Sequence, residues 1–216
     1  LMPNTKYELK SVLVDKKNGM IADMDRYMWR CAWEILKKWS SEGIDLFLSV
    51  NISPRDLYFM SVEKEIRSVV SEFGIEPSCL RLEITETVMM ADVENRIQML
   101  NSLKNDGFLV EMDDFGSGYS SLNLLKDMPV DIIKIDMGFL RRNSDSTRAD
   151  TILHNIIHMS NELGIGTLTE GVETSRQYSM LSDMGCEMFQ GFYFARPLTV
   201  EDFEELYEQS LSKKAI

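Results

Sequence analysis

The stretch Phe108-Leu109-Val110-Glu111-Met112-Asp113-Asp114-Phe115-Gly116-Ser117-Gly118 joins a short, mostly apolar run to two acidic residues and a glycine-rich segment. Apolar runs of this length, bounded by turn residues, are typical of buried strands. The glycines allow the backbone to turn, and Ser120 or Ser121 can cap a following helix. The stretch therefore predicts a strand, a turn and a helix, with acidic side chains at the carboxyl end of the strand.

The same order of strand and helix recurs along the chain. The predicted strands are Leu46–Val50, Leu80–Ile84, Phe108–Met112, Asp131–Ile135, Gly166–Thr169 and Met188–Phe194. Helical spacing of apolar residues covers Met24–Lys38, Val62–Glu72, Ala91–Lys104, Leu122–Lys126, Ala149–Leu163, Arg176–Met184 and Glu201–Gln209. This alternation predicts an α/β fold with parallel strands, either a doubly wound sheet or a (β/α)₈ barrel. A barrel has eight strands, so we expect one or two strands to be missing before residue 1.

The bulk composition is that of one globular domain spanning residues 1–216. The chain lacks a Pro/Gly/Ser linker, and its net charge of −12 repels nucleic acid, so we do not expect DNA as a partner. An acidic protein that binds a phosphate ester needs cations to do so. Three scattered cysteines and the lack of a signal peptide favour a cytoplasmic location, or the cytoplasmic part of a membrane-anchored protein.

Polar residues stand at or near the end of every predicted strand. In chain order they are Asn51, Glu83 with Glu86, Asp113 with Asp114, Lys134 with Asp136, Glu170 with Glu173, and Gln190. One such residue is usually a helix cap or a solvated charge, but a series of six is not explained in that way. In parallel α/β folds the carboxyl ends of the strands build the active site. Clustered carboxylates with one asparagine favour Mg²⁺ or Mn²⁺ as the neutralising cation.

At these positions the sequence resembles EAL domains, the bacterial cyclic di-GMP phosphodiesterases. The matching stretches are Asn51-Ile52-Ser53, Glu83-Ile84-Thr85-Glu86, Asp113-Asp114-Phe115-Gly116-Ser117-Gly118-Tyr119-Ser120-Ser121-Leu122, Lys134-Ile135-Asp136, Glu170-Gly171-Val172-Glu173-Thr174, Gln190-Gly191-Phe192 and Arg196-Pro197-Leu198. They occur in the family's order over roughly residues 18–198, and the ordered set is far more specific than any one stretch.

The resemblance implies a TIM-like (β/α)₈ barrel of the EAL type with two Mg²⁺ or Mn²⁺ ions. It implies hydrolysis of cyclic di-GMP to the linear dinucleotide pGpG in second-messenger signalling. The implied metal ligands are Asn51, Glu83, Asp113, Asp114 and Glu170, and the implied catalytic residues are Lys134, Glu170 and Asp114. The implied supporting and loop residues are Glu86, Asp136, Glu173, Gln190, Phe115, Gly116, Ser117 and Gly118. Upstream sensory or GGDEF domains and a homodimer are further expectations of the resemblance.

Two features depart from the family pattern. The Glu-Ala-Leu motif is absent, since Glu8 in Tyr7-Glu8-Leu9-Lys10 lacks the expected strand context and the following arginine. Thr169 replaces the usual small apolar residue before Glu170. The first departure leaves open the activity of this chain by itself. It also leaves an alternative, a catalytically inactive EAL domain that binds cyclic di-GMP or a protein partner, although the retained downstream ligands favour an enzyme.

Overall fold

The computed structural model describes residues 20–90, 92–116, 122–136 and 146–214. The helices are α1 Met20–Ser41, α2 Asp56–Phe59, α3 Val62–Phe73, α4 Glu86–Met90, α5 Val93–Asn105, α6 Leu122–Asp127, α7 Ser146–Glu162, α8 Ser175–Asp183 and α9 Val200–Lys214. The strands are β1 Leu48–Ile52, β2 Leu80–Thr85, β3 Leu109–Phe115, β4 Ile132–Asp136, β5 Gly166–Glu170 and β6 Met188–Phe189. Each predicted strand and helix is therefore present, most with ends shifted by a few residues.

The six strands form one sheet in sequence order, and every neighbouring pair is parallel. A doubly wound sheet reverses its strand order, whereas a barrel does not. The sheet is also curved. Nη1 of Arg81 on β2 lies 3.7 Å from Sδ of Met188 on β6, although these two strands are not neighbours in the sheet. The predicted TIM-like α/β fold is confirmed. The expectation of missing strands concerns sequence outside the described residues. The segment around Glu8 also lies outside them.

Helix α1 covers the first strand through a row of buried aromatic side chains. Trp29, Trp33 and Trp39 are almost completely buried, and they recur at the spacing of one helical face. The ring of Trp33 meets Phe108 edge to face, with centroids 6.4 Å apart. Nε1 of Trp29 donates a hydrogen bond to the backbone oxygen of Asn51 over 3.1 Å. The helix therefore fixes the end of β1, where a predicted site residue lies.

The carboxyl-terminal helix α9 packs against α1. The rings of Phe203 and Trp39 lie 5.7 Å apart, and Nε1 of Trp39 donates to Glu204 over 2.7 Å. Nζ of Lys38 contacts the same carboxylate at 2.7 Å. Because α1 precedes β1 and α9 follows β6, these contacts join the helices that flank the two edge strands of the described sheet. Within the described residues, no helix combines the length and the hydropathy that a membrane crossing requires.

Strand β6 is shorter than the predicted Met188–Phe194, and that prediction is wrong. The backbone N–H of Gln190 still donates to Thr169 on β5 over 2.9 Å, but the chain then turns, with Phe194 N–H donating to the oxygen of Gly191. A Cβ atom at Gly191 would overlap the backbone of Val172. The chain thus passes directly against the segment after β5, and this close approach replaces further strand pairing.

Candidate active site

The side chain of Lys134 lies at the centre of the polar residues predicted from the sequence. Its Nζ lies 2.9 Å from Oε1 of Glu83, 2.8 Å from Oε1 of Glu170 and 3.2 Å from Oδ1 of Asp113. These carboxylates come from β2, β5 and β3, and Lys134 comes from β4. Four predicted site residues, separated widely in sequence, therefore converge inside the curved sheet.

Charge explains why the lysine can be buried. Burial lowers the pKa of Lys134, but the carboxylates of Glu83, Glu170 and Asp113 together raise it well above its usual value. Burial raises the pKa of Glu83 to about 7, against the opposing effect of Lys134. With all four groups ionised, three negative charges meet one positive charge. The cluster therefore retains a negative charge that favours the binding of further cations.

Asn51 stands beside this cluster on β1. It is the register partner of Glu83 on β2, and cross-strand partners project to the same face of a sheet. Its backbone oxygen accepts the bond from Trp29, which fixes the height of the residue at the end of the strand. The exposed side chain of Asn51 therefore projects to the same face of the sheet as the buried carboxylate of Glu83.

The adjacent acids Asp113 and Asp114 differ in exposure because the strand is irregular there. Asp114 has φ 56°, in the left-handed region that side chains rarely adopt. The pairing of β3 with β4 shifts register between Met112 and Phe115, as in a β-bulge. Asp113 remains half-buried beside Lys134, whereas Asp114 is exposed. The backbone turn expected from two neighbouring acids is present, but it lies inside β3, which continues to the buried Phe115.

The donor atoms of this cluster suit a hard divalent cation. Oδ1 of Asp113 is buried and accepts no hydrogen bond from the described residues, since Lys134 lies 3.2 Å away outside hydrogen-bonding geometry. Glu83 and Asn51 supply further oxygen donors of the kind that Mg²⁺ and Mn²⁺ prefer. In the described part of the chain, no three His, Cys, Asp or Glu side chains are arranged so that they could hold a metal ion by themselves. An ion at this position would therefore share Glu83 and Asp113 with Lys134 and use the Asn51 amide.

The remaining predicted residues lie around the cluster with different exposures. Glu86 is buried at the start of α4, and Asp136 is exposed at the end of β4 as the register partner of Glu170. Glu173 and Gln190 line a cavity of about 250 Å³ together with Glu170, Phe192, Arg196 and Pro197. Gly116 directly follows β3 and has φ 90°, a backbone conformation that glycine adopts easily and other residues rarely adopt. Ser117 and Gly118 lie outside the described residues.

Glu111, which is buried, and Arg81, which is partly buried, form an ion pair that the sequence analysis missed. Glu111 on β3 is completely buried; its Oε1 accepts from Nη1 of Arg81 over 2.9 Å and its Oε2 from Oγ of Ser49 over 2.8 Å. The sequence contained a usable signal, because both residues interrupt apolar runs just as Glu83 does.

Asp56 is a second buried acid that the sequence analysis missed. It is completely buried at the start of α2, where its Oδ2 accepts from the backbone N–H of Ser53 over 2.6 Å. Burial is the main cause that raises the pKa of Asp56 to about 7; the nearby Asp25 carboxylate adds to this shift and the bond from Ser53 opposes it. Asp56 follows a proline-containing turn, and no pattern in the sequence marks it as buried.

The comparisons with known proteins identify the family of this chain. The family model described as the EAL domain matches residues 12–197. The cyclic di-GMP phosphodiesterase NbdA of Pseudomonas aeruginosa is 35% identical over 189 residues, which cover 87% of this chain and 24% of NbdA. The chain spans between about a quarter and a third of the length of the first curated relatives it matches.

Solved structures show the same fold. The phosphodiesterase PaMucR, solved as a c-di-GMP complex, is 31% identical with a TM-score of 0.80, covering 86% of this chain and 75% of that one. The manganese and cy-diGMP complex of Klebsiella pneumoniae BlrP1 is 29% identical with a TM-score of 0.71, covering 82% and 45%. The family model covers most of the chain. The chain belongs to the EAL domain family.

Proposed function

We propose that this chain is a metal-dependent phosphodiesterase domain that hydrolyses cyclic di-GMP to the linear dinucleotide pGpG. The observation that carries the proposal is the buried ammonium of Lys134, held within 3.2 Å of carboxylates from three other strands. The substrate class is supported by the family match and by relatives named as cyclic di-GMP phosphodiesterases. The proposal takes in residues 1–216 as a single EAL domain.

The residues for metal binding follow from the oxygen donors at the strand ends. Asn51, Glu83 and Asp113 would hold one Mg²⁺ or Mn²⁺ ion, and Asp114 and Glu170 would contribute to a second. Bound ions of this kind lower the pKa of a water molecule and neutralise the phosphate charge. Without cations, a cluster with three carboxylates around one ammonium would repel the anionic phosphodiester.

Lys134 supplies a fixed positive charge at the centre of the site. Its contacts with Glu83 and Glu170 hold the ammonium in place before substrate arrives. A charge that is already oriented stabilises the negative charge that develops on the phosphoryl oxygens without further reorganisation. The lysine therefore positions the phosphate or the attacking water.

Glu170 is the acid of this cluster most open to water. Its side chain is 24% exposed, compared with 7% for Glu83. It accepts a proton from the attacking water, whose oxygen forms a new bond to phosphorus. One ring P–O bond breaks in the same displacement, and the departing alkoxide oxygen takes a proton from solvent water to become a hydroxyl group. The result is one opened phosphodiester and a linear dinucleotide.

The cavity beside Glu170 is suited to the rest of the substrate. Its volume is about 250 Å³. Phe192, Pro197 and Leu198 form apolar walls, and Arg196 and Gln190 are among the polar groups that line it. A few polar groups in an apolar cavity are typical of small-molecule sites. The cavity therefore supports binding of a flat base next to the reacting phosphate.

A turnover assay tests the proposal. Protein expressed from the complete gene is incubated with cyclic di-GMP and Mn²⁺, and pGpG is followed by chromatography. We expect product that depends on the metal, and a loss of about 10²–10⁴-fold in kcat for Glu170→Gln. Glu201→Gln, at an exposed position on α9, is the matched control. Binding of cyclic di-GMP without turnover would instead identify a receptor domain, and the hydrolase proposal would be wrong.

A further inference from the structure

A second polar layer lies inside the curved sheet, directly below the candidate site. It consists of Ser49 on β1, Arg81 on β2 and Glu111 on β3, which we call the lower layer. Glu111 is completely buried and bonded to both other members, over 2.9 Å to Arg81 and 2.8 Å to Ser49. The proposed function of the site does not use any of these three residues.

The lower layer stands in a fixed relation to the candidate metal ligands. Ser49 precedes Asn51 by two residues, Arg81 precedes Glu83 by two, and Glu111 precedes Asp113 by two. In a strand, residues two apart lie on the same face. Each of the three strands therefore carries one candidate ligand. On the same face, two residues earlier in the strand, it carries one member of the lower layer.

Arg81 also links the lower layer to both edges of the described sheet. Its guanidinium carbon lies 3.3 Å from the ring centroid of Phe47, immediately before β1. Its Nη1 contacts Sδ of Met188 on β6 over 3.7 Å. Besides these cross-sheet contacts, Arg81 pairs with Glu111 on the neighbouring strand. The side chain thereby sets the relative heights of the strands that carry the ligands.

Stability alone does not account for this arrangement. Burying an ion pair costs desolvation energy, and apolar residues of similar volume often give an equal or greater stability. Nε of Arg81 is also buried without a hydrogen-bond partner among the described residues, which leaves part of that cost uncompensated. A network of directional bonds, however, fixes side-chain direction in a way that apolar packing does not.

We propose that Arg81, Glu111 and Ser49 are positioning residues that hold Asn51, Glu83 and Asp113 in the arrangement needed to bind the metal ion. This inference rests on the proposed function of the site. The lower layer acts on the ligands through strand register and side-chain direction, and it touches neither substrate nor metal. Partners outside the first ligand shell of a metal site typically contribute about 10–100-fold to metal affinity or activity.

The test replaces the whole ion pair by apolar residues. The double variant Arg81→Met/Glu111→Leu leaves no unpaired buried charge, so we expect it to keep the thermal stability of the native protein. We expect its affinity for Mn²⁺ alone, measured by calorimetry, to fall about tenfold or more, and its kcat to fall more than its KM rises. The control is Arg67→Met/Asp106→Leu, which removes an exposed ion pair of 2.6 Å on the helical surface.

Ser49→Ala gives a second measurement if the double variant fails to fold. It removes the 2.8 Å bond from Ser49 to Glu111 while the Arg81–Glu111 ion pair stays in place, and we expect weaker Mn²⁺ binding in a folded protein. Unchanged Mn²⁺ affinity and kcat, in the double variant or in Ser49→Ala, would overturn the inference. Mn²⁺ binding also separates the two proposals: a native protein that binds Mn²⁺ but does not hydrolyse cyclic di-GMP contradicts the proposed function and still allows the lower layer to be tested.

Discussion

Nζ of Lys134 on β4 lies 2.8 Å from Oε1 of Glu170 on β5, which places the cation and one of its counter-charges at the same end of adjacent parallel strands. Register pairs Lys134 with Leu168 and Asp136 with Glu170. The glutamate side chain therefore extends back toward the lysine, which is two residues earlier in register. This ion pair, shared with Glu83 and Asp113, is the central feature of the site.

Replacing Lys134 tests the role of the central charge. In Lys134→Ala the positive charge is lost, and we expect kcat for cyclic di-GMP to fall about 10²–10⁴-fold, because the developing phosphoryl charge loses a preorganised partner. We also expect lower thermal stability, since Glu83 remains buried without its cation. Lys126→Ala, at an exposed position on α6, is the control. A variant with near-native kcat would remove Lys134 from the proposed mechanism.

Asp113 gives a prediction about metal alone. Its buried Oδ1 is an acceptor without a hydrogen bond from the described residues, so Asp113→Asn removes a charged ligand from an otherwise similar shape. We expect Mn²⁺ affinity, measured by calorimetry without substrate, to fall at least about tenfold. The exposed acid Asp183 provides the control Asp183→Asn. Equal affinities in native protein and Asp113→Asn would exclude Asp113 as a ligand.

Much of the fold was predictable because parallel strands buried on both faces leave a strong apolar signal. The strand ends also marked Asn51, Glu83, Asp113 and Lys134 for the same site, since topology brings the carboxyl ends together. The convergence of three carboxylates on one lysine was not predictable. It depends on strand register and side-chain direction, neither of which is encoded by a local pattern.

The missed residues have different physical explanations. Glu111 satisfied the same criterion as Glu83, a charge inside an apolar run, but it did not stand at the end of its strand. Strand β6 was predicted to be too long because the aromatic residues of Met188–Phe194 have a high strand propensity. Phe189 and Phe194 instead pack with Tyr178, with ring centroids 4.9 and 5.8 Å away. Tertiary packing outweighed local strand propensity there.

Asp56 predicts a pH dependence of folding stability. Its pKa is raised from an ordinary value of 3.8 to about 7 in the folded protein, so the folded state binds the proton more tightly than the unfolded chain does. Its contribution to stability is therefore greatest at low pH and is lost as the pH rises from about 4 to about 7. Other groups add their own pH dependence, so the comparison must be made with a variant.

Asp56→Asn is that variant, because the amide is neutral at every pH and can still accept the Ser53 N–H bond. Its NH₂ group can donate to Asp25, the neighbouring acid whose pKa is also raised by burial. We expect the loss of unfolding free energy between pH 5 and pH 8, from urea titrations, to be smaller in Asp56→Asn than in the native protein. Parallel pH profiles for the two proteins would contradict the buried, proton-binding state of Asp56.

Gly191 predicts a link between backbone packing and the site. A Cβ at this position would overlap the backbone oxygen and nitrogen of Val172, two residues after Glu170, and backbone atoms cannot move aside as a flexible side chain can. Gly191→Ala must therefore push the turn after β6 away from the segment after β5. The hydrogen bonds that Val172 makes with Gln190 and Tyr193, both near 3.0 Å, would be strained or lost.

We expect Gly191→Ala to lose more than about 2 kcal/mol of unfolding free energy, because steric overlap and broken backbone bonds add together. The same substitution at Gly164 is the matched control: Gly164 has φ 71°, but a Cβ added there would meet no atom within 4 Å, so only the conformational cost of about 1 kcal/mol applies. Urea titration of both variants gives the difference. Because Gly191 and Gln190 line the cavity beside Glu170, kcat/KM for cyclic di-GMP should also fall in Gly191→Ala and remain native in Gly164→Ala. Equal stabilities for the two variants would show that the turn after β6 can move without cost and that Gly191 does not hold the cavity in place.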